Sequence, residues 1–307
     1  MIAILLATYN GEKYISAQLD SILNQTIKDF TLWISDDFST DSTIDILQEY
    51  KTKHPDKIML SIRTKNSGNS KHNFLDMMTS IKDDCVMLCD QDDIWLPNKI
   101  ELTLAKMKEV EKQHPGQAVL IRTDMKVVDE NLKIISPSYK QSMNSNFDRT
   151  SFNQILIQNT FAGCTAMYNR KLAELINQKP NYCIMHDWWL ELVASAFGKI
   201  SHVDEQTMLY RQHGNNVIGA KDVRKLGYKI NRLLNNEEVK NAINITYTQA
   251  KSFLECYEQR MDEKQINIIK QYIQIPNMKR LDKWKTICTL GTYKNGLSRN
   301  IAYFMFV

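Results

Sequence analysis

No apolar run in this 307-residue chain approaches the roughly 20 residues that a helix needs to cross a bilayer, so the sequence predicts no membrane-spanning helix. No basic segment precedes the apolar start from Met1 to Tyr9 and no small-residue cleavage site follows it; it reads as a buried first strand and not as a secretory signal. The six cysteines, Cys85, Cys89, Cys164, Cys183, Cys256 and Cys288, lack paired CxxC spacing and the density of a disulfide scaffold, which leaves reduced thiols in a cytoplasm as the simpler reading. No glycine-rich phosphate loop follows the first strand, where Thr8-Tyr9-Asn10-Gly11 stands instead, and that argues against a nucleotidyltransferase acting on sugar phosphates. Internal repeats and low-complexity tracts are absent as well.

What is present is the composition of a soluble globular protein, with its charge unevenly spread. The net charge of +4 is made of +8 from Lys221 onward and −4 before it. An acidic front and a basic tail imply two jobs. They exclude a nucleic-acid binder, which would carry positive charge across the whole fold. The length exceeds a typical single domain, so a catalytic domain over residues 1–220 and a helical C-terminal extension over 221–307 are expected.

Short apolar runs alternate with amphipathic helical patterns over the first 120 residues, the signature of βαβ units on a parallel sheet. Strands are expected at Ile2 to Ala7, Phe30 to Ser35, Ile58 to Ile62 and Val86 to Cys89, each followed by a helix with apolar residues at helical spacing. Beyond them the pattern is mixed, with short strands at Val119 to Arg122, Ala166 to Tyr168 and Met208 to Tyr210 and helices at Arg170 to Ile176 and Asp187 to Phe197. Asn144 to Arg149 reads as a polar loop, and from Asp222 the chain is almost all helical. In open α/β sheets ligands bind outside the carboxyl ends of the strands. The groups there are Thr8-Tyr9-Asn10, Asp36-Asp37 and Asp90-Gln91-Asp92-Asp93.

Asp90-x-Asp92 at a strand end offers hard oxygen ligands for a divalent cation bridging the phosphates of a leaving nucleotide. Alone, an acidic surface turn explains it equally, with Asp93 capping the helix that starts near Pro97. The set of motifs is far more specific. Ala7-Thr8-Tyr9-Asn10-Gly11, Ser21-Ile22-Leu23-Asn24-Gln25-Thr26, Asp36-Asp37-Phe38-Ser39-Thr40-Asp41, Cys89-Asp90-Gln91-Asp92-Asp93-Ile94-Trp95-Leu96-Pro97, Gly163-Cys164-Thr165, His186-Asp187-Trp188-Trp189 and Tyr210-Arg211-Gln212-His213-Gly214-Asn215-Asn216 occur in this order. The chain thereby resembles the family 2 glycosyltransferases of the GT-A fold, in the branch that includes bacterial rhamnosyltransferases of capsule and cell-wall polysaccharide synthesis.

The resemblance implies an α/β, Rossmann-like fold with a mostly parallel central sheet flanked by helices, ahead of the helical extension. It puts Ala7, Thr8, Tyr9, Asn10, Asp36, Asp37, Asp90 and Gln91 on the nucleotide, where an aromatic ring can cover the base and a carboxylate can accept the N3 proton. Asp92, with Asp90 and His213, becomes the ligand set for Mn2+ or Mg2+. Asp187 becomes the general base; Gly163, Cys164, Trp188, Trp189 and Arg211 become contacts to acceptor or diphosphate. A sugar can stack on the tryptophans, though one of the two is expected in the core. Cys164 lacks the neighbours a nucleophile needs.

The reaction implied is transfer of one sugar, with inversion, from dTDP-L-rhamnose or else a UDP-hexose to a lipid-linked saccharide at the inner face of a bacterial cell membrane. A noncatalytic nucleotide-sugar binder would dispense with Asp187 and His213. The processive synthases' QxxRW motif is missing. For the extension two readings stay open: docking on anionic lipid through Lys279, Arg280, Lys283, Trp284, Lys285 and Ile301 to Val307, or packing on the catalytic domain or another subunit as a homo-oligomer.

Overall fold

The structure, a computed structural model, describes residues 1–214 and 236–307. Asn215 and Asn216, the apolar positions Ile230, Leu233 and Leu234, and the boundary at residue 220 lie outside the described residues. Two compact units are present: one holds Met1–Tyr139 and Ala162–Lys179 with the segment that begins at Gly198, the other Lys140–Phe161 and Pro180–Phe197 with the segment that ends at Val307. The division therefore differs from the single cut at residue 220 expected from charge and pattern. Two internal segments group with the C-terminal helices.

The first unit is built on one sheet in the order β3-β2-β1-β4-β8-β6-β9-β5, with β7 paired to β6. Its strands are β1 Ile2–Thr8, β2 Phe30–Asp36, β3 Ile58–Ile62, β4 Cys85–Cys89, β5 Ile94–Trp95, β6 Ala118–Val128, β7 Ile134–Ser136, β8 Ala166–Asn169 and β9 Gly198–Arg211. The first four are parallel, and β8 then enters antiparallel between β4 and β6. This is the expected α/β fold, mixed beyond β4. Every residue of β1 and β4 is buried, as continuous apolar runs must be when helices cover both faces of a parallel sheet.

Helices α1 Ile15–Leu23, α2 Thr43–Lys53, α3 Ser70–Ser80 and α4 Lys99–Gln113 follow the first strands. They bury the apolar stripes that fixed their period: Ile15, Leu19 and Ile22 on α1, Phe74, Met77 and Met78 on α3, Ile100, Met107 and Val110 on α4. Asn69 caps α3 by accepting the His72 N–H through its side chain. The Arg170 to Ile176 pattern appears as α5 Arg170–Leu175.

The second unit contains α6 His186–Phe197, α7 Asn236–Tyr257, α8 Glu263–Gln274, α9 Arg280–Leu290 and α10 Leu297–Phe306. Its core is aromatic. Trp189, Phe253 and Tyr257 are fully buried or nearly so, with the Trp189 and Phe253 rings 5.3 Å apart. Ile243, Tyr247, Ala250 and Tyr257 of α7 face inward as their spacing predicts, whereas Phe253 takes the core place expected of Leu254. Phe147, in the loop read as polar, is buried too.

Candidate active site

The carboxyl ends of β1 and β2 are tied by a carboxylate that sequence reasoning assigned to the nucleotide. Asp36 is fully buried and accepts from the Thr8 hydroxyl at 2.7 Å and from the Ser39 N–H and hydroxyl at 2.8 and 2.7 Å. Thr8 and Asp36, which the resemblance puts on the nucleotide, brace the crevice floor here. Asn10 stays exposed with a left-handed backbone, φ 46°, and its side chain is held by the Thr40 N–H at 2.9 Å. Ala7 is buried at the strand end, whereas Tyr9 keeps its ring exposed.

Asp37, one residue past the end of β2, is buried as well. Its oxygens receive the Ser67 N–H and hydroxyl at 2.9 and 2.8 Å and the Arg63 guanidinium at 3.2 Å. Ser67 and Arg63 were not foreseen, since neither carries a motif. Gln91, expected on the nucleotide, bridges two strand ends here. Its amide accepts the Tyr9 N–H at 2.8 Å and donates to the Tyr9 carbonyl at 3.0 Å, so it fastens the end of β1 to that of β4. A Cβ on Gly11 would lie 2.4 Å from the Gln91 Oε1, so glycine there leaves the bridge undisturbed.

Past β4, Asp90, Gln91 and Asp92 are half-buried. β5 follows at once and pairs with β9, Ile94 opposite Leu209 and Trp95 opposite Met208. That register carries the end of β9 back to the acidic turn. His213 Nε2 stands 2.8 Å from Asp92 Oδ2. Arg211 donates to the Asp92 carbonyl at 2.8 Å and to the Glu130 carbonyl at 2.7 Å, and the ring of Tyr14 lies 4.7 Å from the His213 ring and 4.7 Å from the guanidinium carbon. Arg211, expected at the diphosphate, is a buried clamp on the turn. Tyr14 was missed because a lone Tyr before a helix gives no signal. A carboxylate oxygen and an imidazole nitrogen side by side, both partly solvent-accessible, are a donor set that fits a hard divalent cation.

Asp93 caps no helix. It is fully buried, and Oδ1 accepts the Arg211 N–H at 3.0 Å. Burial, then the charges of Asp92 and Asp90, hold its carboxyl well above the usual carboxylate range. Ligand-type atoms of Asp90, Asp93 and Cys164 lie within 4.8 Å of one another, yet burial also pushes the Cys164 thiol up. Burial disfavours the charged forms that those two groups would need as ligands, and Asp92 with His213 is the more accessible pair. Cys164 and Gly163, expected at the acceptor or diphosphate, are buried in a 3-10 turn before β8. Lys99 is fully buried nearby, 3.3 Å from the Thr207 hydroxyl, with its ammonium pushed down by desolvation to about 8.

Asp187, Trp188 and Trp189 belong to the second unit. Asp187 sits in the first turn of α6, where its Oδ1 accepts the Trp188 N–H at 2.6 Å. Trp188 is half-buried and donates its indole N–H to the Ile155 carbonyl at 2.7 Å. Trp189 is corrected to a core residue, wedged against Phe253 and Tyr257. On the same helix Glu191, fully buried, accepts the Thr160 N–H at 3.1 Å and the Thr160 hydroxyl. A cavity of about 400 Å3 lined by Ile2, Asp84, Cys85 and Asn169 lies at the opposite ends of β1 and β4, away from where such sheets bind ligands.

The fold has a counterpart in the S. aureus TarS fragment 1–349 in complex with UDP, with a TM-score of 0.55 at 16% identity over 92% of this chain and 74% of that one. The model for glycosyl transferase family 2 matches residues 3–176, more than half of the chain, and the chain belongs to that family. It is similar to the dTDP-rhamnosyl transferase RfbG of Shigella flexneri, 30% identical over 244 residues, 76% of this chain and 80% of that protein. It is also similar to the chondroitin synthase of Escherichia coli, 27% identical over 227 residues, 73% of this chain but 31% of that protein.

Proposed function

We propose that this glycosyltransferase moves a single L-rhamnose from dTDP-rhamnose to a hydroxyl of a lipid-linked saccharide at the inner face of a bacterial cell membrane, with inversion, in capsule or cell-wall polysaccharide synthesis. The similarity to a dTDP-rhamnosyl transferase over most of both chains supports the donor. The observation that carries the chemistry is the Asp92 and His213 pair at the end of β4, braced by Arg211 and Tyr14.

In this reading Tyr9 covers the base and Asp37 accepts the N3 proton of the pyrimidine. Asp92 and His213, with Asp90, hold Mn2+ or Mg2+. A divalent cation there offsets the charge of the departing diphosphate. Trp188 lines the acceptor side. Asp187 takes the proton of the acceptor hydroxyl as its oxygen bonds to the anomeric carbon and the bond from that carbon to the diphosphate breaks. A single displacement inverts the centre.

The test is a donor screen with purified protein, Mn2+ or Mg2+ and a rhamnose-accepting lipid-linked saccharide. dTDP release from dTDP-rhamnose should exceed UDP release from UDP-galactose, UDP-glucose or UDP-N-acetylglucosamine at least a hundredfold, and Asp187→Asn should keep donor binding while losing at least 100-fold in turnover. Preference for a UDP-hexose would replace the donor. Turnover of Asp187→Asn at the parent rate would remove the base.

A further inference from the structure

The last helix of the second unit wears its apolar residues outward. On α10, Leu297 is 79%, Ile301 50% and Met305 54% exposed, while Tyr303 is fully buried. Positions i, i+4 and i+8 share one helix face, and Tyr303 lies on the opposite one. The reversal is not a matter of a missing core: Tyr303 packs inward near Tyr247 and Tyr272, whose rings are 4.9 Å apart. Trp284 of α9 donates its indole N–H to the Phe304 carbonyl at 2.9 Å, so both helices are anchored, with the stripe left on the outside.

The segment that carries that helix is cationic. Residues 279–307 hold six Lys and Arg against one Asp. Lys279, Arg280 and Lys285 are exposed, and beside them Leu281 is 75% exposed. A scattered exposed leucine needs no explanation, but an aligned apolar stripe does. Ten residues of helix span about 15 Å, half of a hydrocarbon core, and no described helix is long and apolar enough to cross a membrane. An outward apolar stripe on a short helix suits the interfacial plane.

We infer that the outer face of α10, with the cations of α9, docks flat on an anionic lipid surface. A second copy would bring two strongly positive segments together, whereas anionic headgroups neutralise them. The inference deepens the reading of a membrane-borne acceptor and rests on it for its purpose, but exposure and charge alone carry the surface.

Co-sedimentation of the full chain with vesicles tests it, with no nucleotide or acceptor present, so a wrong donor leaves the result untouched. Binding is expected to vesicles of one part phosphatidylglycerol to two of phosphatidylcholine and to be at least tenfold weaker on pure phosphatidylcholine. Leu297→Ser with Ile301→Ser and Met305→Ser, all outward-facing, should cost at least another tenfold. Lys279→Gln, Arg280→Gln and Lys285→Gln should each cost roughly fivefold on the anionic vesicles and little on the neutral ones. Equal binding to both vesicle types, or no binding to either, overturns the inference. So does sedimentation velocity in which the parent chain dimerises without lipid and the serine variant is monomeric, since the stripe would then be covered by a second copy.

Discussion

The proposed cation site depends on groups that would not touch the cation. The His213 ring lies against that of Tyr14, and the strand end that bears it is held by the Arg211 N–H to Asp93. Residues that orient a ligand typically change metal affinity 10- to 100-fold when removed. Tyr14→Leu should therefore weaken Mn2+ binding in the presence of dTDP about tenfold by titration calorimetry, while unfolding free energy changes by less than about 1 kcal/mol. Unchanged Mn2+ affinity would show that His213 needs no such support. Lys99 gives a prediction in pH. Its ammonium is pushed down to about 8, so between pH 8 and about 10.5 the unfolded chain holds a proton that the folded chain has released. Stability of the parent should then rise across that window relative to Lys99→Met, by at most about 1.4 kcal/mol per pH unit. Denaturant titrations of both proteins at several pH values would show parallel curves if Lys99 stayed charged in the fold.

Two glycines separate what an element needs for folding from what it needs for binding. A Cβ on Gly198 would lie 2.2 Å from the Ala118 carbonyl oxygen, backbone that cannot give way without parting β6 from β9. Gly198→Ala should cost about 1 to 3 kcal/mol in unfolding free energy. A Cβ on Gly11 meets only the end of the Gln91 side chain, which can swing aside. Gly11→Ala should fold nearly as well as the parent yet bind dTDP several-fold more weakly, because the Gln91 bridge to Tyr9 opens. Equal losses of stability in the two variants would contradict the distinction. The same elements mark what could be read in advance. The parallel strands β1 to β4 and their helices were legible because burial on both faces writes an unbroken apolar run and burial on one writes a 3.6-residue period. The acidic turn was legible because it ends such a strand. The bracing by Asp36 and Gln91 was not legible, because a brace and a ligand contact demand the same polar residue at the same strand end, and only the hydrogen-bond partners reveal the brace. Ser67 and Tyr14 left no trace, since pairing across tens of residues has no local signature.

At the scale of the molecule, the proposed nucleotide contacts and the proposed cation pair all belong to the first compact unit, whereas Asp187 and the aromatic core of α6 and α7 belong to the second. Charge follows a related division, negative before residue 221 and positive after it, but composition did not reveal that Lys140–Phe161 and Pro180–Phe197 group with the C-terminal helices, because contact partners and not local pattern decide it. A ligand that binds only the folded state stabilises it by an amount set by its concentration over Kd, about 2.7 kcal/mol at a hundredfold excess. dTDP with Mn2+ at that excess should raise the melting of the first unit by several degrees, and chelation should remove most of the rise by taking away the charge partner of the diphosphate. Asp92→Asn should show the small, chelator-insensitive rise from the start, while Asp187→Asn should respond like the parent. Scanning calorimetry of the three proteins, with and without EDTA, reads all of this without an acceptor. A full rise in the presence of EDTA would mean that the base and ribose contacts alone hold the nucleotide, and that the pairing of Asp92 with His213 serves the fold instead of a cation.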